Sequence, residues 1–396
     1  MKILVLCERV DAEGGTETYL RTLLPALTQR GHTVRVLARS VTQPDAYSVA
    51  TETIAWSDEH DPASPEAAVA VSAAARAFAP DVAAVHNVLD AGVLEAVAQT
   101  VPRVVHHLHD HRPFCPNGDR VYPQGHGICS VAMSTTACAW HALVNGCGYG
   151  PRRSTLTLIA RRKDVARAVV AADATIALSQ YVAELARRNG VAATKLYVVA
   201  PPLDGDAFAT APLPRPDADA VLFAGRVVPS KGARSLVRAL ARLPRRSRPL
   251  LRIAGNGPDL DATLDEARSR AVKAEALGRL EPVAMRHAYD AATLVAIPSL
   301  WGEPFGLVGI EAFARARPVV GYDAGGIREW LGTSGAGRVV PLHDEAALAS
   351  AIGDLCEPRA WNDAHARAFS AAQSYRADAL VARIETIYAG SETPVS

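Results

Sequence analysis

Short apolar runs recur along the chain, and between them apolar positions return every three or four residues. Strand-length runs alternating with helical stripes are the pattern of βαβ units, because parallel strands are buried on both faces by the crossover helices. In the first half the pattern predicts strands at 3–7, 33–38, 81–85, 103–108, 174–178 and 196–199. Between the first two, Leu20, Leu23, Leu24 and Leu27 fall on one helical face, with Pro25 expected to kink the helix and Gly31 to stop it. A second series follows at 221–224, 250–254, 276–277, 294–297, 318–322 and 338–340, separated by helical patterns at 233–243, 259–270, 306–315 and 345–355. Five prolines between Pro201 and Ala220, with no periodicity, predict a link between two α/β domains. The expected division is 1–205, with a Cys-rich insert at 112–150, then 206–370, and a C-terminal helix at 371–396 that packs back on the first domain.

A chain of 396 residues suits two domains, and 49% hydrophobic with 21% charged residues is an ordinary globular balance. The formal net charge of +1 argues against a nucleic-acid partner, which would need a basic excess to meet phosphates. The apolar start is cut short by Glu8, Arg9 and Asp11, so it reads as a strand and not as a secretory signal. No uncharged apolar stretch approaches the ~20 residues a membrane span requires. The expectation is a cytoplasmic α/β protein whose six cysteines are thiols or metal ligands before they are disulfides.

The densest chemical signal is Glu303-Pro304-Phe305-Gly306-Leu307 with Glu311 eight residues beyond Glu303, after the strand at 294–297. Pro304 suits the first position of a helix, and the N–H groups of Phe305, Gly306 and Leu307 would then face a diphosphate. Glu303 falls at the carboxyl edge of the sheet, where open α/β sheets bind ligands. Arg226 and Lys231 follow the strand at 221–224 and reach the same edge. Two cations there can neutralise a departing nucleotide diphosphate without a metal. Gly255 and Asn256, in a Gly-Asn-Gly-Pro turn, form a third loop on that edge that lets the backbone approach a ligand.

In this order, Gly225-Arg226, Lys231-Gly232, Gly255-Asn256-Gly257-Pro258, Pro298-Ser299, Glu303 and Glu311, Pro318-Val319-Val320 and Gly325-Gly326 resemble the donor domain of family 4 glycosyltransferases. The resemblance implies the GT-B fold, two Rossmann-like domains facing across a cleft, and retention of configuration. It implies that Arg226 and Lys231 grip the diphosphate, that Glu303 contacts the donor sugar near the reacting centre, and that Glu311 holds the ribose. Pro304, Phe305, Gly306, Leu307, Gly255 and Asn256 join them as donor-binding positions. In the family the departing phosphate itself takes the acceptor's proton, so no cofactor is required for catalysis. Ala316 departs from the family's usual glycine and would cost on the order of 1 kcal/mol if that position needs a positive φ.

In the first half, Gly14-Gly15 is a tight turn before a helix and lacks the third glycine of a dinucleotide fingerprint. By resemblance, Gly14 and Gly15 face the donor's phosphate and sugar, and His109, of the pair His109-Asp110, touches the donor sugar. His106, His107 and His111 read as structural. Cys115, Cys129, Cys138 and Cys147 lie within 33 residues and contain no C-x-x-C. Three readings stand for them: a structural zinc site, two disulfides, or free thiols. Arg152, Arg153, Arg161, Arg162 and Lys163 surround Leu156, Leu158 and Ile159, a pattern open to a solvated face, an acidic acceptor or weak peripheral contact with anionic lipid.

The reading is a retaining glycosyltransferase that moves a sugar from a nucleotide-diphosphate sugar, with UDP as the family's commonest donor nucleotide, to a small-molecule or lipid-linked acceptor. The alternative is a non-catalytic nucleotide-sugar or glycan-binding module of the same fold. A nicotinamide dehydrogenase fits the strand pattern but lacks the glycine fingerprint.

Overall fold

The computed structural model describes residues 1–11, 14–58, 61–122, 127–147 and 152–393, the last segment by backbone alone at 152–154. Two compact units emerge, Met1–Pro202 together with Ala377–Ser396, and Leu203–Arg376.

The first unit holds β1 (Lys2–Val10), β2 (Thr33–Val41), β3 (Ala50–Thr53), β4 (Val82–His86), β5 (Val104–Leu108), β6 (Ala174–Ala177) and β7 (Leu196–Val198). They form one parallel sheet in the order β3-β2-β1-β4-β5-β6-β7. Leu4, Leu6 and Val85 of the sheet pack with Val71, Val93 and Val97 of two crossover helices. The helix Ala377–Tyr388 belongs to this unit and buries Val381, Ile384, Ile387 and Tyr388. The helix Gly15–Gln29 runs unbroken through Pro25. β3 has no apolar run because it is an edge strand with mostly exposed side chains, so periodicity gives it no signal. β1 continues through Glu8 and Arg9 because β2 pairs beside it as far as Val10↔Val41.

The second unit holds β8 (Ala220–Ala224), β9 (Leu250–Ala254), β10 (Ala274–Gly278), β11 (Leu294–Ile297), β12 (Val319–Tyr322) and β13 (Gly337–Val340). This sheet too is parallel, in the order β10-β9-β8-β11-β12-β13. In both sheets the first strand lies between the second and the fourth. The chain direction of the winding therefore reverses there, and loops on either side of that point part to leave a crevice.

The loops after β8 and β9 meet backbone to backbone. Gly225 N donates to Ala254 O at 2.9 Å, Val227 N to Asn256 O at 2.8 Å, and Gly255 N to Gly278 O at 2.7 Å. At Gly255, φ is 148° and an added Cβ would stand 1.9 Å from the Gly225 carbonyl oxygen. Ala316 adopts φ 56° and is fully buried, with its carbonyl accepting from His365 Nδ1 at 2.6 Å. A non-glycine residue thus carries left-handed strain at the position where the family usually has glycine.

Two glycine substitutions separate close approach from mere flexibility. Gly255→Ala is expected to destabilise the second unit by several kcal/mol, since a backbone carbonyl cannot turn away as a side chain can. Gly353→Ala, inside the helix Glu345–Cys356 with only an ordinary contact to Leu243 at 3.4 Å, should be neutral or stabilising by up to about 1 kcal/mol. Urea denaturation of both variants checks this, and equal effects would remove the argument.

Candidate active site

The carboxyl ends of β8 and β11 lie side by side at the reversal of the second sheet. β8 leads through Gly225 and Arg226 to the turn Pro229–Lys231, and β11 leads through Ser299 to Glu303. Leu300 N donates to Ser230 O at 2.8 Å, which ties the two loops together. Lys231 Nζ then donates to Glu303 Oε1 at 2.5 Å, and Ser299 Oγ donates to the same oxygen at 2.5 Å. The Lys231 ammonium also sits 4.9 Å from the centre of the Trp301 ring, a favourable cation–π distance.

Glu303 is buried, and burial alone would push its carboxyl upward. The Lys231 charge and the hydrogen bonds from Lys231 and Ser299 outweigh that and hold it below the usual carboxylate range. The Glu303 carbonyl accepts from Gly326 N at 2.8 Å, while Gly325 presses so close that a Cβ there would lie 2.3 Å from the same carbonyl oxygen. Arg226, on the adjoining loop, is exposed and has no side-chain partner among the described residues. The edge thus presents one free guanidinium and one ammonium held by a carboxylate. An anion arriving there meets two cations, one of which it must share with Glu303.

Glu311 is half-buried and accepts from Tyr289 Oη at 2.7 Å. Tyr289 is buried, and burial followed by the Glu311 charge raises its phenol far above the ordinary value, so it remains a donor. The helix that carries Glu311 is Leu307–Ala314, which corrects the expectation that Pro304 opens it. Gly306 stands at φ 94°, ψ 60°, a left-handed conformation outside a right-handed helix, so the first turn cannot start before Leu307. Pro304 and Phe305 are buried before the helix, and the Phe305 carbonyl accepts from Trp330 Nε1 at 2.7 Å. Gly255 also differs from its expected use, because its missing side chain admits the Gly225 backbone. Asn256 is exposed on the same loop.

In the first unit, Gly14 caps the helix that begins at Gly15, and Glu17 folds its carboxylate over Gly14. Arg9 pairs with Glu17 at 3.3 Å, and Asn87 Nδ2 donates to Thr16 Oγ1 at 2.9 Å. His109 is buried beside His86, with Nε2 and His86 Nδ1 2.8 Å apart. Asp110 does not hold His109; it is engaged by Arg112, whose Nε donates to Asp110 Oδ2 at 2.7 Å and whose Nη1 donates to Glu8 Oε2 at 3.0 Å. His107 lies between Tyr19 Oη at 3.2 Å and Tyr388 Oη at 2.9 Å.

Among the described residues, His86, His107 and His109 bring three ligating atoms within 4.8 Å of one another. Their rings are near-parallel, with His86 stacked on His107 at 4.2 Å and 23°. Stacked rings set their nitrogen lone pairs side by side, whereas an ion needs them converging. Both nitrogens of His107 are hydrogen-bonded to tyrosines, whereas the buried Nε2 of His86 has no hydrogen-bond partner. His111 is fully buried and meets Tyr181 edge to face, 5.7 Å between ring centres.

Cys115, Cys129, Cys138 and Cys147 line one pocket and are not joined in disulfides. In the helix Arg152–Ala171, Leu158, Ile159 and Arg162 turn into the core, so of the three apolar residues among the basic positions only Leu156 is exposed. The side chains of Arg152 and Arg153 lie outside the described residues. No helix among the described residues is long and apolar enough to cross a membrane. His86 and Tyr289 escaped the sequence reading, and Ser299 stood in it only as part of the Pro298-Ser299 motif, without a role; His86 had one signal, a polar residue closing the apolar strand Val-Ala-Ala-Val.

Two Rossmann-like parallel sheets, the second with this cation–carboxylate edge, define the GT-B class. Residues 13–206 match the family model for Glycosyltransferase Family 4, and 208–375 match that for Glycosyl transferases group 1. Between them the models account for nearly the whole chain, which belongs to glycosyltransferase family 4.

The chain is 34% identical over 209 residues to D-inositol 3-phosphate glycosyltransferase of Xylanimonas cellulosilytica, 47% of this chain and 49% of that protein. It is 35% identical over 184 residues to phosphatidyl-myo-inositol mannosyltransferase of Mycolicibacterium smegmatis, 44% of this chain and 47% of that one. The chain spans about half the length of the curated relatives it matches. Among solved structures it resembles sucrose-phosphate synthase from Thermosynechococcus elongatus with a TM-score of 0.76 at 20% identity, covering 98% and 99% of the two chains. It resembles Anabaena HepE in complex with UDP-glucose with a TM-score of 0.74 at 19% identity, covering 98% and 100%. At these identities the likeness is one of fold.

The buried histidines predict a pH dependence. Burial pushes His106 and His109 down to about 4 from an ordinary 6.5, and lowers His86 and His107 as well. Below 6.5 the unfolded chain takes up protons that the folded one refuses, so this stability is complete above 6.5 and is lost toward 4. The first unit's melting temperature should fall over that interval with a slope of more than one proton. A melting temperature flat across it would show that these rings protonate in place.

Proposed function

We propose that the chain is a retaining glycosyltransferase that moves a sugar from a nucleotide-diphosphate sugar, UDP being the favoured nucleotide, to a small-molecule or lipid-linked acceptor hydroxyl. The observation that carries this reading is the Lys231–Glu303 pair with the exposed Arg226 beside it at the strand reversal of the second unit. On this reading Arg226 and Lys231 take the diphosphate, and their charge offsets what develops on the leaving group, with no metal required. Glu303, freed in part from Lys231, turns to the donor sugar near the reacting carbon. Glu311, oriented by Tyr289, takes the ribose hydroxyls. The bond from the anomeric carbon to the phosphate oxygen breaks as the acceptor oxygen bonds on the same face, and the acceptor's proton passes to the departing phosphate.

By the family resemblance Gly14, Gly15 and His109 belong to the donor's phosphate and sugar. Support for the donor comes from HepE, whose structure contains UDP-glucose. Support for the acceptor class comes from relatives named for inositol 3-phosphate, a small molecule, and for phosphatidyl-myo-inositol, a lipid.

A thermal-shift panel of UDP, GDP, ADP and their sugar conjugates is the first test, with stabilisation by UDP and UDP-sugars expected. No shift with any nucleotide would overturn the donor assignment. Binding without nucleotide release across an acceptor panel would favour the non-catalytic module.

Lys231→Ala should weaken UDP binding at least tenfold, the loss of one charge-assisted contact. It also leaves Glu303 a buried carboxylate without a cation, which destabilises the fold; the double variant Lys231→Ala/Glu303→Gln removes that penalty and should show the same loss. Glu303→Gln alone should retain or tighten UDP binding by releasing Lys231, while abolishing sugar transfer. Near-normal UDP affinity in the double variant would remove Lys231 from the diphosphate site.

A further inference from the structure

The insert after β5 contains a helix that packs along the helix Arg152–Ala171 with little apolar burial. Thr135–Val144 buries none of its residues, and Trp140, Leu143 and Val144 are 63%, 52% and 52% exposed. A ten-residue helix is marginal alone in water and ordinarily owes its place to a buried apolar face. Its half-buried residues include Cys138 and His141, three apart and therefore on one face, and both line a pocket.

The neighbouring segments bring three more thiols to the same point. Cys115 opens a turn in which its carbonyl accepts from Gly118 N at 3.0 Å. An antiparallel bridge, Val121↔Ile128, then sets Cys129 beside Arg120, with Cys129 N donating to Arg120 O at 2.7 Å. Past the helix the chain doubles back, and Cys147 N donates to His141 O at 3.2 Å. The four thiols, with Tyr122 and His141, line a pocket of about 30 Å³. That is room for an ion and too little for an organic cofactor.

We infer that Cys115, Cys129, Cys138 and Cys147 form a structural zinc site that holds this helix to the first unit. Four thiolates from a closed set of ligands are the donor set of a structural zinc ion, with no position left for a reacting water. Zn²⁺ with four thiolates carries a net charge of about −2, and a cation belongs beside it. Arg120 supplies one: it lines the pocket, is 5% exposed, and its Nε has no hydrogen-bond partner. Its other nitrogens donate to the carbonyls of Cys129 and Val131.

The sulfurs stand wider than the site they form. No three of them lie within 4.8 Å of one another, whereas zinc–sulfur bonds of about 2.3 Å require sulfurs about 3.8 Å apart. Binding draws the turn, the hairpin and the helix together, and the site is an energetic contributor to the fold of the insert.

The test uses the full chain, purified without chelator and without a metal-affinity tag. Metal analysis should give about one zinc per chain. Stripping with a strong chelator should lower the melting temperature and expose four additional thiols to a disulfide reagent, and adding Zn²⁺ alone should reverse both. Cys138→Ser should lose zinc at a chelator concentration that leaves the parent loaded, while Cys356→Ser, outside the pocket, should not. Because Cys138→Ser can fail to fold, cobalt loading of the stripped parent gives a second readout, thiolate-to-metal charge-transfer absorption. A metal-free chain with four reactive thiols would overturn the site, as would two disulfides by mass or iron with inorganic sulfide in place of zinc.

Discussion

Glu303 is an ionised carboxylate in a buried place, and the edge of the second sheet is arranged around keeping it so. An unpaired buried charge costs many kcal/mol, so the group would otherwise protonate. The Lys231 ammonium and the Ser299 hydroxyl meet it within hydrogen-bond distance. Those partners are in place only because backbone touches backbone around them. Ser230 holds Leu300, Gly326 holds Glu303, and the loops after β8 and β9 lie against each other through Gly225 and Gly255. Glycines that invite a reading as ligand-approach residues thus have a prior task, which is to let three loops close to the distance a charge pair needs. The same packing leaves Lys231 only partly covered and Arg226 exposed, so the pair is stable without a ligand and open to one.

Periodicity made the strands legible because parallel strands are buried on both faces and read as unbroken apolar runs. β9 and β11 have the expected bounds, and the other expected strands differ by a few residues at their ends. β3 was invisible because an edge strand with exposed side chains obeys no such pattern. The helix start near Pro304 was misplaced for a different reason. Proline is compatible with the first turn of a helix, but the left-handed Gly306 two residues on decides where that turn begins, and a glycine's φ is not written in its neighbours. Residues with candidate chemistry, such as Lys231 and Glu303, stand in a recognisable order along the chain. Residues that act by orienting others do not. Tyr289 meets Glu311 across 22 positions and His86 meets His109 across 23, contacts that only the folded sheet creates.

The two units share a winding and both deliver ion pairs to the strand ends there, but the first adds a cluster of neutral histidines. At the reversal of the second sheet the strand ends carry fixed charge of both signs. At the reversal of the first, β4 and β5 end in His86, His107 and His109, which burial keeps neutral and which bond to each other and to Tyr19 and Tyr388. A neutral imidazole gives one donor and one acceptor without the desolvation cost of an ion, so it can be enclosed completely and still orient a neighbour. An ion pair cannot be enclosed so fully unless every remaining lone pair is met, and it is correspondingly easier for an anionic ligand to recruit. Topology supplies the crevice in each case. What a crevice can bind follows from which side chains the strand ends deliver: cations and a carboxylate at the second reversal, and neutral imidazoles beside the Arg112 ion pairs at the first.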